Sequence, residues 1–244
     1  METDHYVQSA EVYDILSAQH WSGRGDSIRL ALQSLHNPSG IVADIGAGTG
    51  ACVRLIAETL PDARILAIEP SASMRVGLMA RILLDDDLRS RVTVIATSVQ
   101  ETELPETISA ALVCGCIGYL DQKNRAELWR KLAACLSPEG FVLADVMQID
   151  QPRAVSPVKA ASTNIGEQRY EIWLSGAPGQ GDLMLWDMRC DVLRNDEIVR
   201  TFNVTREWHT FGIGQLIDEA KACGFHAELI ANSPVPAAIL RIAQ

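Results

Sequence analysis

A buried strand that runs into a glycine turn constrains this chain more than any other feature. Residues 41–50 read IVADIGAGTG, and a second apolar run, residues 65–68, ends at Glu69. The glycines of the turn let the backbone approach a ligand closely, because a Cβ atom there would collide with it. A carboxylate at the end of the second strand is placed to accept hydrogen bonds from ribose hydroxyls. Together they predict half of a nucleotide-binding α/β unit.

The segments that follow this unit continue the same alternation. Apolar runs at residues 91–97, 109–114 and 141–147 are separated by helical patterns, and the runs are apolar throughout rather than alternating. Strands of this kind are buried on both faces and belong to parallel sheets wound by right-handed crossovers. We predict an α/β fold with a doubly wound, mostly parallel sheet of seven strands.

The length of 244 residues suits one domain. By pattern the domain has four regions: an N-terminal helical lid (1–38), a cofactor-binding core (39–149), an antiparallel β insertion after the fifth strand (150–211), and a closing helix with two strands (212–244). In the lid, residues 20–25 are predicted to separate two helices. In the insertion, residues 151–168 are predicted to be irregular, followed by three extended segments.

Composition narrows the class of protein. The formal net charge is −10, and no cluster of Lys and Arg stands out, so a nucleic-acid partner is not expected. No apolar run has the length of a membrane span, and the N-terminus has no signal-peptide core. The six cysteines form no CxxC pair, which indicates reduced, buried thiols in a cytoplasmic protein. Cys114 and Cys116 alone are a weak metal signal, and no metal is expected.

The charge of Asp44 selects between two ligands for the glycine turn. A dinucleotide fold would place a pyrophosphate at this turn, with glycines in the spacing G-x-G-x-x-G. Here the spacing is G-x-G-x-G, and Asp44 at the tip of the strand would repel a pyrophosphate. It would attract the ammonium and sulfonium groups of S-adenosylmethionine. Electrostatics therefore favours S-adenosylmethionine over NAD as cofactor.

At this point the sequence resembles a known family. Residues 42–50 (VADIGAGTG) and 68–74 (IEPSASM) are similar to the first two motifs of class I S-adenosylmethionine-dependent methyltransferases. The resemblance continues through residues 112–120 and 136–143 and covers roughly residues 35–148. It implies the Rossmann-like methyltransferase fold, with S-adenosyl-L-homocysteine as product.

The resemblance also implies roles for individual cofactor-binding residues. In the glycine turn, Gly46, Ala47 and Gly48 would pack on the methionine portion, and Asp44 would orient its ammonium. Glu69 would accept the ribose hydroxyls. The remaining implied residues flank the nucleoside, the adenine, the sulfonium or the lid: Pro70, Met74, Ser98, Val99, Gln100, Cys114, Gly115, Cys116 and Tyr13. The family often has an acidic residue beside adenine, and Ser98-Val99-Gln100 departs from that pattern.

Several subclasses lack their motifs here. The Asn/Asp-Pro-Pro-aromatic turn used on amino groups of bases or of glutamine is replaced by residues 116–119 (CIGY). The paired glutamates of protein arginine methyltransferases and the Asp-Asn of metal-dependent catechol enzymes are also missing from their positions. What remains is a methyltransferase with a small-molecule acceptor, in a setting of secondary metabolism. The acceptor atom, N, O or C, stays open, and so does a homodimer.

The acceptor site is expected where additions cover the carboxyl ends of parallel strands, in the lid and the insertion. Strand alternation puts Met184, Trp186 and Met188 on one face. That face would form an apolar wall for an aromatic or heterocyclic acceptor. The full set of expected acceptor-binding residues is aromatic or apolar: Trp21, Tyr170, Trp173, Met184, Trp186, Met188 and Trp208.

Methyl transfer needs a base only when the nucleophile must lose a proton before attack. The candidates are His20 in the lid, His209 at the exit of the insertion, and Tyr119. A histidine with a pKa near neutrality suits proton abstraction. Two other functions remain open at this point: a catalytically silent cofactor-binding partner in a larger assembly, and an NAD-type oxidoreductase.

Overall fold

A computed structural model describes residues 4–231 and 233–243, without the side chains of Gln19, His20 and Ser22. The chain forms two sheets. The main sheet has seven strands in the spatial order β10-β11-β5-β4-β1-β2-β3. These strands are β1 (Ile41–Ile45), β2 (Arg64–Ile68), β3 (Val92–Ile95), β4 (Ile108–Val113), β5 (Leu136–Asp145), β10 (Phe225–Leu229) and β11 (Ala237–Ile242).

The first five strands pair in parallel, and β11 inserts antiparallel between β5 and β10. Helices cover both faces of this sheet and bury two apolar clusters against it. The helices are α1 (Ala10–Gln33), α2 (Ala51–Thr59), α3 (Ala72–Leu83), α4 (Asp86–Arg91), α5 (Gln122–Cys135) and α6 (Ile213–Lys221), with a short 3-10 turn at Ile117–Tyr119. This is the predicted Rossmann-like methyltransferase fold, and the prediction is confirmed.

The second sheet is an antiparallel cap built from the insertion. Its four strands, in sequential spatial order, are β6 (Val155–Ile165), β7 (Gln168–Pro178), β8 (Leu183–Arg194) and β9 (Glu197–His209). One face of the cap packs on α1 through a small cluster that includes Val12, Met188 and Cys190. The cap therefore sits over the helix that leads into the main sheet.

The N-terminal lid differs from the expectation of two helices. A single helix, α1, runs through residues 20–25 without a break. A glycine inside a helix costs roughly 1 kcal/mol relative to alanine, which tertiary packing can offset. Gly23 allows this packing, because a Cβ atom there would lie 3.0 Å from the ring of Pro234. Gly23 thus marks a close approach between α1 and Pro234 and does not end the helix.

The segment 151–168 was expected to be irregular, and most of it is the strand β6. The prediction was wrong at Pro157, because proline cannot donate a backbone hydrogen bond to a neighbouring strand and therefore argues against a strand. It is tolerated here because β6 is an edge strand and its register with β7 shifts between Val155 and Val158. The edge position depends on tertiary pairing, which periodicity does not reveal.

Candidate active site

The glycine turn after β1 has the geometry that its sequence demands. Gly46, Gly48 and Gly50 have φ angles of 71°, 56° and 90°, a region that strains other residues. A Cβ atom on Gly46 would lie 2.7 Å from Cβ of Cys116. The N–H groups of Gly46 and Ala47 donate to the carbonyl of Ile68 at 2.9 and 3.0 Å. The turn is therefore fixed against β2 and leaves a cradle that a side chain would fill.

Glu69 lies at the end of β2 and closes one side of this cradle. Its Oε2 accepts the N–H of Gly48 at 2.7 Å, and its Oε1 accepts the N–H of Ser71 at 2.8 Å. The side chain is buried, and this burial raises the pKa of Glu69 although both hydrogen bonds act to lower it. Each carboxylate oxygen keeps a further lone pair. Glu69 can therefore accept two hydroxyls of a ribose.

Asp44 is a buried carboxylate with an unmet hydrogen bond. It is 2% exposed, and its Oδ2 has no hydrogen-bond partner among the described residues. Burial raises the pKa of Asp44 to about 7; a hydrogen bond from Cys52 lowers it, and the charge of Glu69 raises it. An orphaned carboxylate oxygen at the base of a glycine cradle suits a cationic group. Asp44 therefore has the charge and the unused acceptor oxygen that the ammonium of S-adenosylmethionine would need.

A cavity opens at the carboxyl ends of the parallel strands and gathers most of the expected cofactor residues. Those that line it are Tyr13, Gly46, Gly48, Glu69, Pro70, Met74, Ser98, Val99, Gln100, Gly115 and Cys116. Asp44, Ala47 and Cys114 are buried and are not among the lining residues. Sequence reasoning did not anticipate that residues 4–6 also line it.

Those N-terminal residues form a strap across the cavity. Asp4 accepts the Ser71 hydroxyl at 2.7 Å and the N–H of Ser73 at 2.9 Å, at the start of α3. Burial alone would raise the pKa of Asp4, but hydrogen bonds from Ser73, Ser71 and Tyr6 outweigh it and lower the pKa to about 2. The strap is therefore held by an ionised carboxylate at any pH near neutrality. The helical spacing of Tyr6, Ala10 and Tyr13 predicts a helix from residue 4 onward, but α1 begins only at Ala10, and residues 4–9 precede it.

A lysine from α5 fixes the loop that is expected to flank adenine. Nζ of Lys131 donates to the carbonyls of Val99, Gln100 and Thr102 at 2.9, 2.9 and 2.7 Å. Bonds from a charged donor are about twice as strong as neutral ones. The loop after β3 thus has a defined backbone although it lacks the acidic residue common in the family.

Arg24 of α1 reaches the other end of the cavity. Its Nε lies 3.1 Å from Oδ2 of Asp145, whose Oδ1 accepts the N–H of Gly115 at 2.8 Å. Burial raises the pKa of Asp145, and the charge of Arg24 opposes that rise. A Cβ atom on Gly115 would lie 3.1 Å from Nη1 of Arg24. The guanidinium therefore lies beside a lining residue, where it could hold the carboxylate of a bound amino acid group.

Three aromatic rings meet where the cavity approaches the cap. The hydroxyls of Tyr6 and Tyr119 lie 2.7 Å apart, and the ring of Tyr119 meets Trp208 edge to face with centroids 4.8 Å apart. Trp208 packs directly on Gly118, where any Cβ atom would overlap the indole. Burial raises the pKa of both tyrosine hydroxyls, so both are neutral near pH 7.

The three candidates for a base have separate positions. Tyr119 lines the cavity. His209 follows Trp208 in β9 and therefore points to the opposite face of the cap, where its Nδ1 lies 2.9 Å from Oδ1 of Asp182. The expected catalytic role of His209 does not fit this position. The backbone of His20 lies in α1, but its side chain is outside the described part of the structure.

The expected acceptor residues are also divided among different surroundings. Met184, Trp186, Met188 and Trp208 share the cap face that points to the main domain, as alternation predicted. On that face, however, Met188 and Tyr170 pack against α1 as core residues. Trp173 is on the outer face, between Lys159 and Arg189, and Trp21 packs on an apolar cluster of the main sheet. These four residues are corrections to the expected acceptor-binding set. Met184, Trp186 and Trp208 stay predictions, and none of the three is among the residues that line the cavity.

The described residues contain no group of three His, Cys, Asp or Glu side chains arranged to hold a metal ion. None of their helices is long and apolar enough to cross a membrane.

Comparison with known proteins gives a family-model match over part of the chain and a likeness of fold over all of it. Residues 43–142 match the family model described as "Methyltransferase domain". No curated protein sequence matches the chain. Among solved structures, DesVI from Streptomyces venezuelae is similar with a TM-score of 0.77 and 16% identity over 100% of both chains.

Two further solved structures are similar over the whole chain. The sugar N-methyltransferase KedS8 from Streptoalloteichus sp. ATCC 53650 has a TM-score of 0.76 and 13% identity, covering 100% of this chain and 96% of its own. CalS10 from Micromonospora echinaspora, an amino pentose methyltransferase solved with its bound methyl donor, has a TM-score of 0.75 and 15% identity, covering 99% and 100%. At these identities the likeness is one of fold, and it includes the cap.

Proposed function

We propose that the chain is a class I S-adenosylmethionine-dependent methyltransferase, as the match of residues 43–142 to a methyltransferase family model supports, and that it methylates an amine nitrogen of a small molecule held between the 3-10 turn and the cap. The family match and the Asp44–Glu69 cradle favour this function over an NAD-type oxidoreductase, and methyl transfer to an acceptor would distinguish it from a silent binding partner. When bound, the cofactor supplies a methyl group on a positively charged sulfur. The nucleophile that the acceptor presents to this methyl group decides the reaction.

The protonation of the cavity wall supports an amine over a hydroxyl. Burial raises the pKa of Tyr6, Tyr13, Tyr119 and the Cys116 thiol, so these groups stay protonated near pH 7. A phenol or alcohol would need a base to remove its proton before or during attack. A neutral amine has a free lone pair and can attack directly. The observation that carries the proposal is geometric: the cavity wall places the hydroxyls of Tyr6 and Tyr119, 2.7 Å apart, where they can accept an N–H of the acceptor.

In the proposed reaction the residues position the acceptor and exclude water. The nitrogen lone pair forms the new N–C bond while the C–S electron pair stays on sulfur, and the nitrogen then loses its proton to solvent. Tyr119 can accept a hydrogen bond from the attacking N–H, since its hydroxyl is held by Tyr6. Trp208 offers a flat apolar edge to an aromatic, heterocyclic or sugar ring. Positioning of this kind can account for much of the rate.

The names of two structural neighbours point in the same direction. KedS8 is a sugar N-methyltransferase and CalS10 an amino pentose methyltransferase. Both cover this chain across the cap, which is the region expected to select the acceptor. The proposed acceptors therefore include amino sugars as well as aromatic and heterocyclic amines.

The test uses matched pairs of acceptors with methyl-labelled cofactor. Each pair has the same ring and carries either an amine or a hydroxyl at the same position. We expect label to enter the amine member, with a kcat/KM that rises with pH as that amine deprotonates. Label entering only the hydroxyl members would overturn the proposal. Tyr119→Phe should lower kcat without weakening cofactor binding.

A further inference from the structure

Arg206 of β9 carries a charge that the described residues do not neutralise. Its guanidinium lies 4.0 Å from the centre of the Tyr6 ring and donates to the hydroxyl of Ser9. Its Nε is buried and has no hydrogen-bond partner within the described part of the chain. Four other arginines of the cap each pair with a carboxylate: Arg169, Arg189, Arg194 and Arg200. Within residues 4–231 and 233–243, no such partner lies at Arg206.

Trp186 of β8 is a second donor without a partner, and it is the direct neighbour of Arg206. The two residues are opposite each other in the β8–β9 register and therefore share one face of the cap. The indole Nε1 of Trp186 is also buried and unpartnered among the described residues. Buried donors are nearly always satisfied in native proteins. A group that carries acceptor oxygens would satisfy both of these neighbouring donors, which lack acceptors among the described residues.

The pair lies on the acceptor side of the methyl donor. Tyr6, which stacks on Arg206, lines the cofactor cavity together with Tyr119. Trp208 is two residues further along β9, on the same face, and contacts Tyr119. Arg206 and Trp186 do not themselves line the cavity; Arg206 lies behind Tyr6, on the same face of the cap as Trp208.

We propose that Arg206 and Trp186 form a subsite for an oxyanion, so that the acceptor is an amine that also carries a carboxylate or a phosphate. The guanidinium supplies charge and a planar set of N–H donors that matches either anion. The indole N–H supplies a further bond in fixed geometry. This inference rests on the proposed amine methylation for its meaning, because it adds a second group to the same acceptor.

The experiment measures binding to the enzyme saturated with S-adenosyl-L-homocysteine. The probes are benzoate, phenyl phosphate and the neutral benzyl alcohol. The Kd of each probe is measured by calorimetry and by the change in tryptophan fluorescence. We expect at least one anion to bind ten-fold or more tightly than benzyl alcohol, and the preferred anion distinguishes a carboxylate from a phosphate acceptor. Arg206→Met should weaken binding of that anion at least ten-fold. Arg206→Lys should weaken it by a smaller factor, because lysine keeps the charge.

Two further variants separate the subsite from general effects. Trp186→Phe keeps an aromatic ring but removes the N–H, so it should weaken the anion several-fold and abolish the fluorescence change. Arg189→Met removes a cap arginine from the opposite face and should leave binding unchanged. Binding of S-adenosyl-L-homocysteine itself and the Tm show whether each variant is folded.

The proposal is wrong if neither anion binds at millimolar concentration, or if benzyl alcohol binds as well as the anions. Anion binding that survives in Arg206→Met equally overturns it and would leave ordered water as the partner of both donors. The assay needs no turnover. Failure of amine methylation and failure of the anion subsite are therefore observed separately.

Discussion

Binding of S-adenosylmethionine should release a proton from Asp44. In the free protein, burial raises the pKa of Asp44 to about 7, so the carboxyl is partly protonated at neutral pH. An ammonium placed against its unpartnered Oδ2 favours the ionised form and lowers that pKa. Cofactor binding and proton release are thus coupled through one side chain.

The size of the effect follows from the pKa. With a pKa of about 7, roughly three-quarters of the Asp44 carboxyls are protonated at a pH of about 6.5. If the ammonium returns the pKa toward its ordinary value of 3.8, nearly all of that fraction is released. We therefore expect about 0.7 proton released per cofactor bound at this pH. Each unit of pKa change corresponds to about 1.4 kcal/mol of coupling between the two groups.

Calorimetric titrations in several buffers of different ionisation enthalpy measure this number directly. Asp44→Asn should abolish the release and weaken binding. Adenosine, which lacks the ammonium, should bind the unaltered protein without releasing a proton. Equal proton release by the protein and by Asp44→Asn would refute the assignment of Asp44, as would no release from the unaltered protein.

The remaining predictions concern cofactor affinity and stability. The folded-state pKa of Asp44 lies above its ordinary value of 3.8, so the free protein should lose stability as the pH rises from about 4 to about 7. The Tm measures this loss, and Asp44→Asn should make the Tm less dependent on pH. Glu69→Gln should weaken cofactor binding by roughly 10- to 100-fold, because hydrogen bonds to a charged acceptor contribute about 1.5–3 kcal/mol; an unchanged Kd would remove Glu69 from the ribose. Lys131→Met should weaken binding of S-adenosyl-L-homocysteine by about ten-fold, because three carbonyls of the adenine loop lose their donor. The control is Lys123→Met, at an exposed position of the same helix. Equal affinities of the two variants would contradict this prediction. Asp4→Ala should speed cofactor dissociation in stopped-flow traces, because the strap loses its bonds to α3; an unchanged rate would show that the strap does not retain the ligand.

The main sheet and the cofactor cradle could be predicted because their determinants are local in the sequence. Asp44, the glycine turn and Glu69 lie within 26 positions of one another in one strand–helix–strand unit. The right-handed crossover then places both strand ends at one edge of the sheet. No distant contact is needed to bring this set of groups together.

The residues that sequence reasoning missed reach the site from distant elements. Asp4 bonds to residues 67 and 69 positions away, and Arg206 bonds to Ser9 across 197 positions. Lys131 acts on a loop 29–32 positions earlier. Such pairs depend on how helices and the cap dock, and no periodicity encodes that docking.

In the cap, the sequence pattern predicts which residues share a face but not what that face contacts. Alternation correctly placed Met184, Trp186 and Met188 on one face, but it could not tell which part of that face meets the cavity and which part packs on α1. The same ambiguity put His209 forward as a base, although its strand turns it away from Trp208. Periodicity gives faces, and only tertiary packing gives their partners.

The measurement that tests the central claim most directly is calorimetric titration of the full chain with S-adenosylmethionine, followed by single-turnover transfer of its labelled methyl group. We predict one binding site per chain, loss of binding in the double variant Asp44→Asn with Glu69→Gln, and transfer of label to an amine acceptor. Absence of binding to the unaltered protein, or full binding by the double variant, would contradict the account.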